Sequence, residues 1–122
     1  MQAMKTSSTS SDQVAVITTA RDYFEGWFDG DTVRMDRALH SNFVKRRAGE
    51  ELGITTKERM LELTRRGDGK QDAADRTLEV EVEDVYGDIA SATVRSAVYH
   101  EYLHFVRTRD GWKIANALWQ ST

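Results

Sequence analysis

The sequence contains no cysteine and no proline among its 122 residues. Without cysteine, a disulfide framework, a thiolate zinc site and a cysteine nucleophile are all excluded. Positive charge is not in excess either, because 17 Lys and Arg stand against 20 Asp and Glu, for a formal net charge of -3. Non-specific binding to nucleic acid needs clustered positive charge in excess. We therefore expect no nucleic-acid partner.

Long apolar runs are also missing from the sequence. No stretch approaches the roughly 18 apolar residues of a membrane-spanning helix, and the first residues lack the apolar core of a signal peptide. These absences predict a soluble, cytoplasmic protein with no membrane partner.

The length of the chain suits one domain, since single cores usually span roughly 100 to 150 residues. Residues 1–11 include a Ser/Thr run and offer almost no apolar surface to offset the entropy cost of ordering. We therefore predict a disordered tail over residues 1–11 and a single domain over residues 12–122.

Helical periodicity dominates the first half of this domain. Apolar residues recur at helical spacing over residues 12–28, and Gly30 and Asp31 are the residue types that end one helix and cap the next. A short second helix is expected to follow. A third helix is predicted over Lys57–Arg66, with Thr55 or Thr56 as its cap and a glycine at its end.

The second half changes to the period of two that is typical of strands. Valines and glutamates alternate over residues 78–83, and further strands are predicted over 89–99, 102–108 and 112–119. Asp110 and Gly111 between the last two strands are a strong signal for a tight hairpin. Including a short strand at 43–48, the pattern predicts an α+β fold with three helices and a mainly antiparallel sheet.

Several segments occur in an order that points to a known family. They read YFEGWFDGD at 23–31, ALH at 38–40 with FVKRR at 43–47, VYGDIA at 85–90, and RDGWKI at 109–114 with ALW at 117–119. Together they resemble the nuclear-transport-factor-two-like superfamily, which includes ketosteroid isomerases, polyketide cyclases and scytalone dehydratase. The closest resemblance is to its putative lumazine-binding and SnoaL-like branch.

This resemblance implies a strongly curved sheet wrapped around a long helix. The resulting cystatin-like cone would have a ligand cavity at its open end and would commonly form a homodimer through the sheet. The resemblance does not imply a reaction, because this fold hosts many reactions.

Two residues of the first helix are candidates for the cavity. Counted back from the Gly30 and Asp31 pair, Tyr23 falls where ketosteroid isomerases keep the tyrosine that donates to the developing enolate oxygen. Tyr23 could equally be a core aromatic residue whose hydroxyl finds another partner. Trp27 lies one turn later on the same face and is expected to line the cavity.

Counted forward, Arg47 falls where the isomerases place their aspartate general base. Arginine stays protonated at ordinary pH and cannot act as that base, so the isomerase mechanism is not carried over. Inside the cone, Arg47 would suit a carboxylate, phosphate or enolate. Alternatively, residues 45–47 are a solvated run on an edge strand.

The last hairpin supplies three more candidates. By spacing, Tyr102 replaces the protonated aspartic acid of the isomerase oxyanion hole, and Trp119 matches an aromatic lining residue. Strand alternation places His104 on the face of Tyr102. There His104 could exchange protons near neutral pH, so His104 and Tyr23 are the catalytic candidates. The alternative is a neutral core histidine. Arg95 could face water, a dimer partner or the cavity.

The three histidines have no carboxylate at ligand spacing, so we expect neither a metal nor a cofactor. Three functions remain open. The first, which we favour, is a small-molecule-binding protein for a small aromatic or anionic ligand, anchored by Arg47 or His104. The second is an isomerase, cyclase or dehydratase that uses a base other than a carboxylate. The third is a dimeric interaction domain. A homodimer through the sheet fits all three.

Overall fold

The computed structural model describes residues 10–72 and 75–122. Within them the chain forms three α-helices, one short 3-10 helix and a six-stranded sheet. The helices are α1 (Ser10–Asp29), α2 (Thr32–Ala38) and α3 (Lys57–Arg66), with the 3-10 helix at Asp68–Asp72. The strands are β1 (Leu39–Arg47), β2 (Gly53–Thr56), β3 (Leu78–Tyr86), β4 (Ile89–Ser96), β5 (Tyr99–Thr108) and β6 (Gly111–Ser121).

The strands lie side by side in the order β2-β1-β6-β5-β4-β3. β1 and β6 run parallel, and the other neighbouring pairs run antiparallel. α1 contacts both β3 at one edge of the sheet and β6 near its middle. The sheet therefore curls around α1 without closing. The predicted α+β fold, with three helices on a mainly antiparallel sheet, is confirmed.

The helix boundaries follow the residue types at their ends. Gly30 adopts a φ of 68°, and the Asp31 side chain accepts hydrogen bonds from the first backbone N–H groups of α2. The Thr56 hydroxyl caps α3, and Gly67 ends it in the left-handed conformation. These predicted caps are confirmed. α1 begins at Ser10, two residues before the expected start of the domain, and residues 1–9 of the expected tail lie outside the described residues.

Several strands differ from the prediction. β4 ends at Ser96 instead of residue 99, and β5 begins at Tyr99 instead of residue 102. β1 begins at Leu39 rather than at Phe43, so its first residues continue directly from α2. β2 was not predicted, because its four residues are mostly exposed and show no apolar alternation. β2 is held by backbone pairing with β1 at the edge of the sheet, a contact that a local sequence pattern does not reveal.

A β-bulge in β6 moves its side chains between faces. His104 pairs with Asn116 and Phe105 pairs with Ile114, so Ala115 is an extra residue in this strand. Ile114 and Ala117 consequently both point into the core. Simple alternation would place these two residues on opposite faces, but the one inserted residue reverses the alternation.

One hydrophobic core fills the space between α1 and the inner face of the sheet. Its large, fully buried side chains include Tyr23 and Phe24 of α1, Phe43 of β1, and Leu103 and Phe105 of β5. Burial of each large apolar side chain contributes about 1.5 to 3 kcal/mol. This packing fixes the position of α1 relative to β1 and β5. Within residues 10–72 and 75–122, no helix has both the length and the apolarity needed to cross a membrane.

Candidate functional site

A pocket of about 420 Å³ opens at the end of the molecule where α1 and α3 meet the sheet. We call it the inner pocket. Its lining combines aromatic side chains, apolar side chains of α3 and a few charged groups: Trp27, Lys45, Thr55, Met60, Leu63, Arg66, Asp68, Tyr99 and Trp119. Arg66 and Asp68 form an ion pair of 3.1 Å, so they largely neutralise each other.

Three polar side chains meet behind this pocket, and we call them the buried polar cluster. The Tyr23 hydroxyl donates to Glu101 Oε1 at 2.8 Å and accepts from Lys45 Nζ at 2.7 Å. Lys45 Nζ also lies 3.5 Å from Glu101 Oε2. Tyr23 is 2% exposed, Glu101 is 1% exposed and Lys45 is 9% exposed. Of the three, Lys45 is the residue that lines the inner pocket.

The secondary structure brings these residues together from distant parts of the chain. In β1, Lys45 shares the inner face with Phe43, since alternate residues of a strand point the same way. In β5, Glu101 lies between Tyr99 and Leu103 on the inner face. Tyr23 faces both strands from α1. Each polar group thus interrupts an otherwise apolar surface, and each finds its partner across the core.

Burial shifts the pKa of two members of the buried polar cluster, Tyr23 and Lys45. Burial raises the pKa of Tyr23 well above its ordinary value, and the negative charge of Glu101 raises that pKa further. Tyr23 therefore stays protonated, and its O–H group is the donor in the hydrogen bond to Glu101. Burial lowers the pKa of Lys45, although the attraction of Glu101 acts in the opposite direction. Lys45 is consequently a weaker base than an exposed lysine.

Aromatic rings surround the Lys45 ammonium group. Nζ lies 5.0 Å from the ring centre of Trp119, 5.2 Å from that of Tyr23 and 5.9 Å from that of Tyr99. These are distances at which a cation is attracted to the face of a ring. Tyr99 and Trp119 pack edge to face at 5.3 Å, and Trp27 Nε1 donates to the Tyr99 hydroxyl at 3.0 Å. The rings therefore hold one another as well as the cation.

Trp27 is held in place by the 3-10 helix. Gly69 is buried against it, and a Cβ atom added to Gly69 would lie 2.6 Å from the Trp27 ring. Real Cβ atoms essentially never come so close to a ring. A glycine at this position is therefore needed for the 3-10 helix to close over Trp27 and shape this side of the inner pocket.

Comparison with known proteins identifies the family. The family described as "Putative lumazine-binding" matches residues 11–120. The chain belongs to this family. No curated protein matches the chain.

Solved structures with this fold are distant in sequence. An NTF-2 like protein of unknown function from Silicibacter pomeroyi is 19% identical, with a TM-score of 0.71, over 94% of this chain and 100% of that chain. A cystatin-like domain from Nostoc punctiforme is 13% identical, with a TM-score of 0.70, over 94% and 80%. A "putative ketosteroid isomerase" from Shewanella frigidimarina is 18% identical, with a TM-score of 0.57, over 86% and 94%. These similarities establish the NTF2-like, cystatin-like fold, and they establish nothing about the reaction.

Four of the candidate residues lie at or near the inner pocket. Trp27 and Trp119 line it, and Tyr23 lies directly behind it. Arg47 is exposed at the end of β1, and its guanidinium carbon lies 5.4 Å from the centre of the Trp119 ring. The cation inside the core is Lys45, two residues before Arg47 on the same face of β1. Whether these residues bind a ligand stays a prediction.

The placement of Tyr102 and His104 inside the cone is wrong. Both side chains are exposed on the outer face of the sheet, and Tyr102 is 52% exposed. The inner face of β5 instead carries the alternate residues, including Glu101 and Leu103. A shift of one residue exchanges the two faces of a strand. The prediction turned the wrong one of the two alternating sets of β5 towards the core. His104 is therefore not a proton-transfer group of the inner pocket.

Sequence reasoning missed Lys45, Tyr99 and Glu101. A signal for Glu101 does exist, because it stands between Tyr99 and Leu103 in the more apolar of the two alternating sets of β5. Lys45 gives a weaker signal. It lies two residues after Phe43, but its two basic neighbours resemble a solvated run.

The outer face of the sheet carries a row of paired residues that crosses all six strands. Successive pairing joins Ile54 to Arg46, Arg46 to Leu118, Leu118 to Tyr102, Tyr102 to Thr93 and Thr93 to Glu81. We call this set the outer row. A depression of about 670 Å³ lies over its middle. Arg95 also lies on this face, where it pairs with Glu79 and Glu81, so it does not point into the inner pocket.

The described residues contain no group of three or more His, Cys, Asp or Glu side chains that could hold a metal ion.

Proposed function

We propose that this protein binds a small, flat aromatic ligand in the inner pocket, with an anionic or electron-rich oxygen of the ligand on Lys45. The observation that carries the proposal is the position of the Lys45 ammonium group. It is the member of the buried polar cluster that lines the pocket, and three aromatic rings surround it.

The hydrogen bonds of Lys45 leave a donor for a ligand. An ammonium group has three N–H donors. Within the described residues, Lys45 donates one to the Tyr23 hydroxyl and directs a longer contact to Glu101. These two contacts leave a third N–H for a ligand in the pocket that Lys45 lines. A ligand oxygen placed there would receive a charge-assisted hydrogen bond in a site that is largely shielded from water.

The walls of the pocket suit a ring. Trp27, Tyr99 and Trp119 offer ring faces and edges, and Met60 and Leu63 add apolar surface. The volume of about 420 Å³ falls within the usual range of ligand sites, roughly 300 to 1,000 Å³. Lumazine, the compound in the description of the family, is a flat heteroaromatic molecule with carbonyl oxygens, so it belongs to the class that these walls favour.

The charge at the mouth of the pocket favours an anion. Glu101 balances Lys45, and Asp68 balances Arg66. Arg47 makes no ion pair with any described residue and lies against Trp119. Arg47 therefore puts an uncompensated positive charge beside a ring that lines the pocket, and this charge attracts an anionic ligand.

A thermal-shift panel tests this proposal. Lumazine, benzoate and larger aromatic carboxylates are compared in the unchanged protein and in Arg47→Ala. A ligand at a hundred times its Kd stabilises the folded state by about 2.7 kcal/mol, which gives a clear rise in Tm. We expect aromatic anions to raise Tm, and to do so less in the variant. If no member of the panel shifts the unchanged protein, the proposal is contradicted for this ligand class.

The buried polar cluster also supports a second candidate function, an enzyme of isomerase, cyclase or dehydratase type. Proton transfer needs ionisable groups at the pocket, and Lys45 with Tyr23 and Glu101 behind it provides them. Lys45 would then take the role of the base that is not a carboxylate, in place of His104. One structural neighbour is described as an isomerase of this kind. Turnover of an enolisable aromatic ketone that is lost in Lys45→Met and kept in His104→Ala would support this function.

We further propose that the outer row binds a second copy of the chain. Ile54, Tyr102 and Leu118 are large exposed apolar residues in this row. These three side chains lie on three different strands of one face, so the same row of a second copy, related by a two-fold axis, would cover them. Light scattering should give about twice the 13.9 kDa of one chain, and Leu118→Glu should reduce the mass to that of one chain. A single-chain mass for the unchanged protein at micromolar concentration contradicts the dimer.

A further inference from the structure

We propose that Lys45 condenses with the carbonyl group of an aromatic aldehyde or ketone held in the inner pocket and forms an imine. This inference rests on the proposed binding function and adds a covalent step to it. The geometric basis is that one primary amine reaches the pocket from within a ring of aromatic side chains. Its two polar partners, Tyr23 and Glu101, lie behind it and away from the ligand.

The surroundings of Lys45 favour a reactive amine. Nucleophilic attack requires the neutral amine, and a desolvated lysine releases its proton more readily than an exposed one. The Lys45 side chain is 11% exposed, and burial lowers its pKa. Its contact to Glu101 Oε2 is long at 3.5 Å, whereas its short bond is to the neutral hydroxyl of Tyr23. The carboxylate is therefore close enough to accept a proton without holding the ammonium group tightly.

The buried polar cluster contains a route for that proton. Lys45 Nζ donates to the Tyr23 oxygen, and the Tyr23 hydroxyl donates to Glu101 Oε1. A shift of both protons along these two bonds moves one proton from the ammonium group to the carboxylate and leaves Tyr23 neutral. The route is continuous, because its two steps are 2.7 Å and 2.8 Å long.

The condensation balances with these groups alone. The lone pair of Nζ attacks the carbonyl carbon and a C–N bond forms, and one proton passes from the new ammonium nitrogen to the carbonyl oxygen to give a neutral carbinolamine. Glu101 then returns its proton through Tyr23 to that nitrogen. The proton passes on to the hydroxyl oxygen, the C–O bond breaks and water leaves. The product is a protonated imine, so the sum is a ketone or aldehyde plus the ammonium form of Lys45 giving the iminium ion plus water. No oxidant or reductant is consumed.

The aromatic rings suit the product as well as the ligand. The iminium ion carries the same positive charge as the ammonium group and at nearly the same place. The rings of Tyr23, Tyr99 and Trp119, all within 5.9 Å of Nζ, therefore keep their attraction to it. An aromatic carbonyl compound would in addition extend its own ring along the wall formed by Trp27.

Reductive trapping of the unchanged protein tests this inference. The protein is incubated with 4-carboxybenzaldehyde and sodium cyanoborohydride at neutral pH, and peptide mapping follows the labelling of each lysine. The chain has five lysines, and the exposed Lys70 is the internal reference. We expect Lys45 to be labelled at least ten times faster than Lys70, with a rate that saturates with aldehyde concentration. In urea the two rates should become similar, because the preference comes from the fold.

Two further measurements separate this inference from the binding proposal. Terephthalate has the same ring and acid group but no aldehyde, and it should protect Lys45 from labelling and raise Tm. The Lys45→Arg variant should lose the fast labelling and keep the slow labelling of Lys70. If terephthalate raises Tm but Lys45 is labelled no faster than Lys70, the imine is refuted and the binding proposal stands. If terephthalate has no effect and Lys45 is again slow, both proposals fail.

Discussion

The hydroxyl of Tyr23 is the link that holds the buried polar cluster together, and its removal gives a specific prediction. Tyr23→Phe keeps the ring that packs against Phe24 and Phe43, so the shape of the core is conserved. The variant loses the hydrogen bond from Lys45 and the hydrogen bond to Glu101. Lys45 and Glu101 stay buried in the variant, so hydrogen bonds to water replace little of the two that are lost.

The expected cost follows from these two bonds. A hydrogen bond to a charged group contributes about 1.5 to 3 kcal/mol, and Lys45 and Glu101 remain near each other and compensate in part. We therefore expect Tyr23→Phe to lower the free energy of unfolding by roughly 2 to 4 kcal/mol. For a domain of this size the loss corresponds to a fall in Tm on the order of 10 °C. Urea denaturation followed by circular dichroism measures it, with an unchanged m value.

The same variant has a predictable pH dependence. The raised pKa of Tyr23 means that the folded chain keeps this proton while the unfolded chain loses it above about pH 10. The folded state binds more protons there, so the contribution of the hydroxyl to stability is fully present below about pH 10 and is lost as the pH rises further. The difference in the free energy of unfolding between the unchanged protein and Tyr23→Phe should therefore become smaller above about pH 10.

A matched control decides the interpretation. Tyr86→Phe makes the same chemical change at a site that is 69% exposed. Changes at such surface sites usually stay within about 0.5 kcal/mol. If Tyr23→Phe and Tyr86→Phe lower the free energy of unfolding by the same amount, the hydroxyl of Tyr23 does not link two buried charges. The description of the buried polar cluster is then refuted.

Two further predictions concern the frame around the site. Gly69→Ala should push Trp27 out of place, lower the free energy of unfolding by roughly 1 to 3 kcal/mol and change the tryptophan emission spectrum. Gly53→Ala is the control and should have none of these effects, because a Cβ atom there meets its nearest atom at 3.7 Å. An unchanged spectrum for Gly69→Ala would contradict this packing. Burial raises the pKa of Asp22, but hydrogen bonds from arginines that include Arg37 outweigh burial and lower this pKa. Asp22→Asn should therefore lower the free energy of unfolding by roughly 2 kcal/mol at neutral pH. That difference should disappear as the pH falls below about 4, and an acid titration in which it persists would contradict the assignment.

Much of the fold could be predicted because its signals are local. Gly30 and Asp31 between α1 and α2, Gly67 after α3, and the Asp110 and Gly111 turn all act through the conformation of one or two residues. Such signals do not depend on the rest of the chain. β2 lacks a signal of this kind, since its exposed residues are ordered by pairing with β1.

The site could be predicted only in part, because the face of a strand depends on register. Tyr102 and His104 look as suitable for a pocket as Tyr99 and Glu101, and packing against α1 decides which pair points inwards. Glu101 and Lys45 are 56 positions apart in the chain. Charged residues are rarely buried unless they are paired, and this pairing exists only once β1, β5 and α1 have come together.

The most direct test of the account is the affinity of an aromatic anion for the unchanged protein, Lys45→Met and His104→Ala. Calorimetric titration with the strongest ligand of the thermal-shift panel measures all three values of Kd. Loss of a charged hydrogen bond of about 1.5 to 3 kcal/mol predicts a Kd at least tenfold weaker in Lys45→Met. His104→Ala, altered on the outer face, should bind as the unchanged protein does. Unchanged affinity in Lys45→Met together with lost affinity in His104→Ala would contradict the account and move the site to the outer face of the sheet.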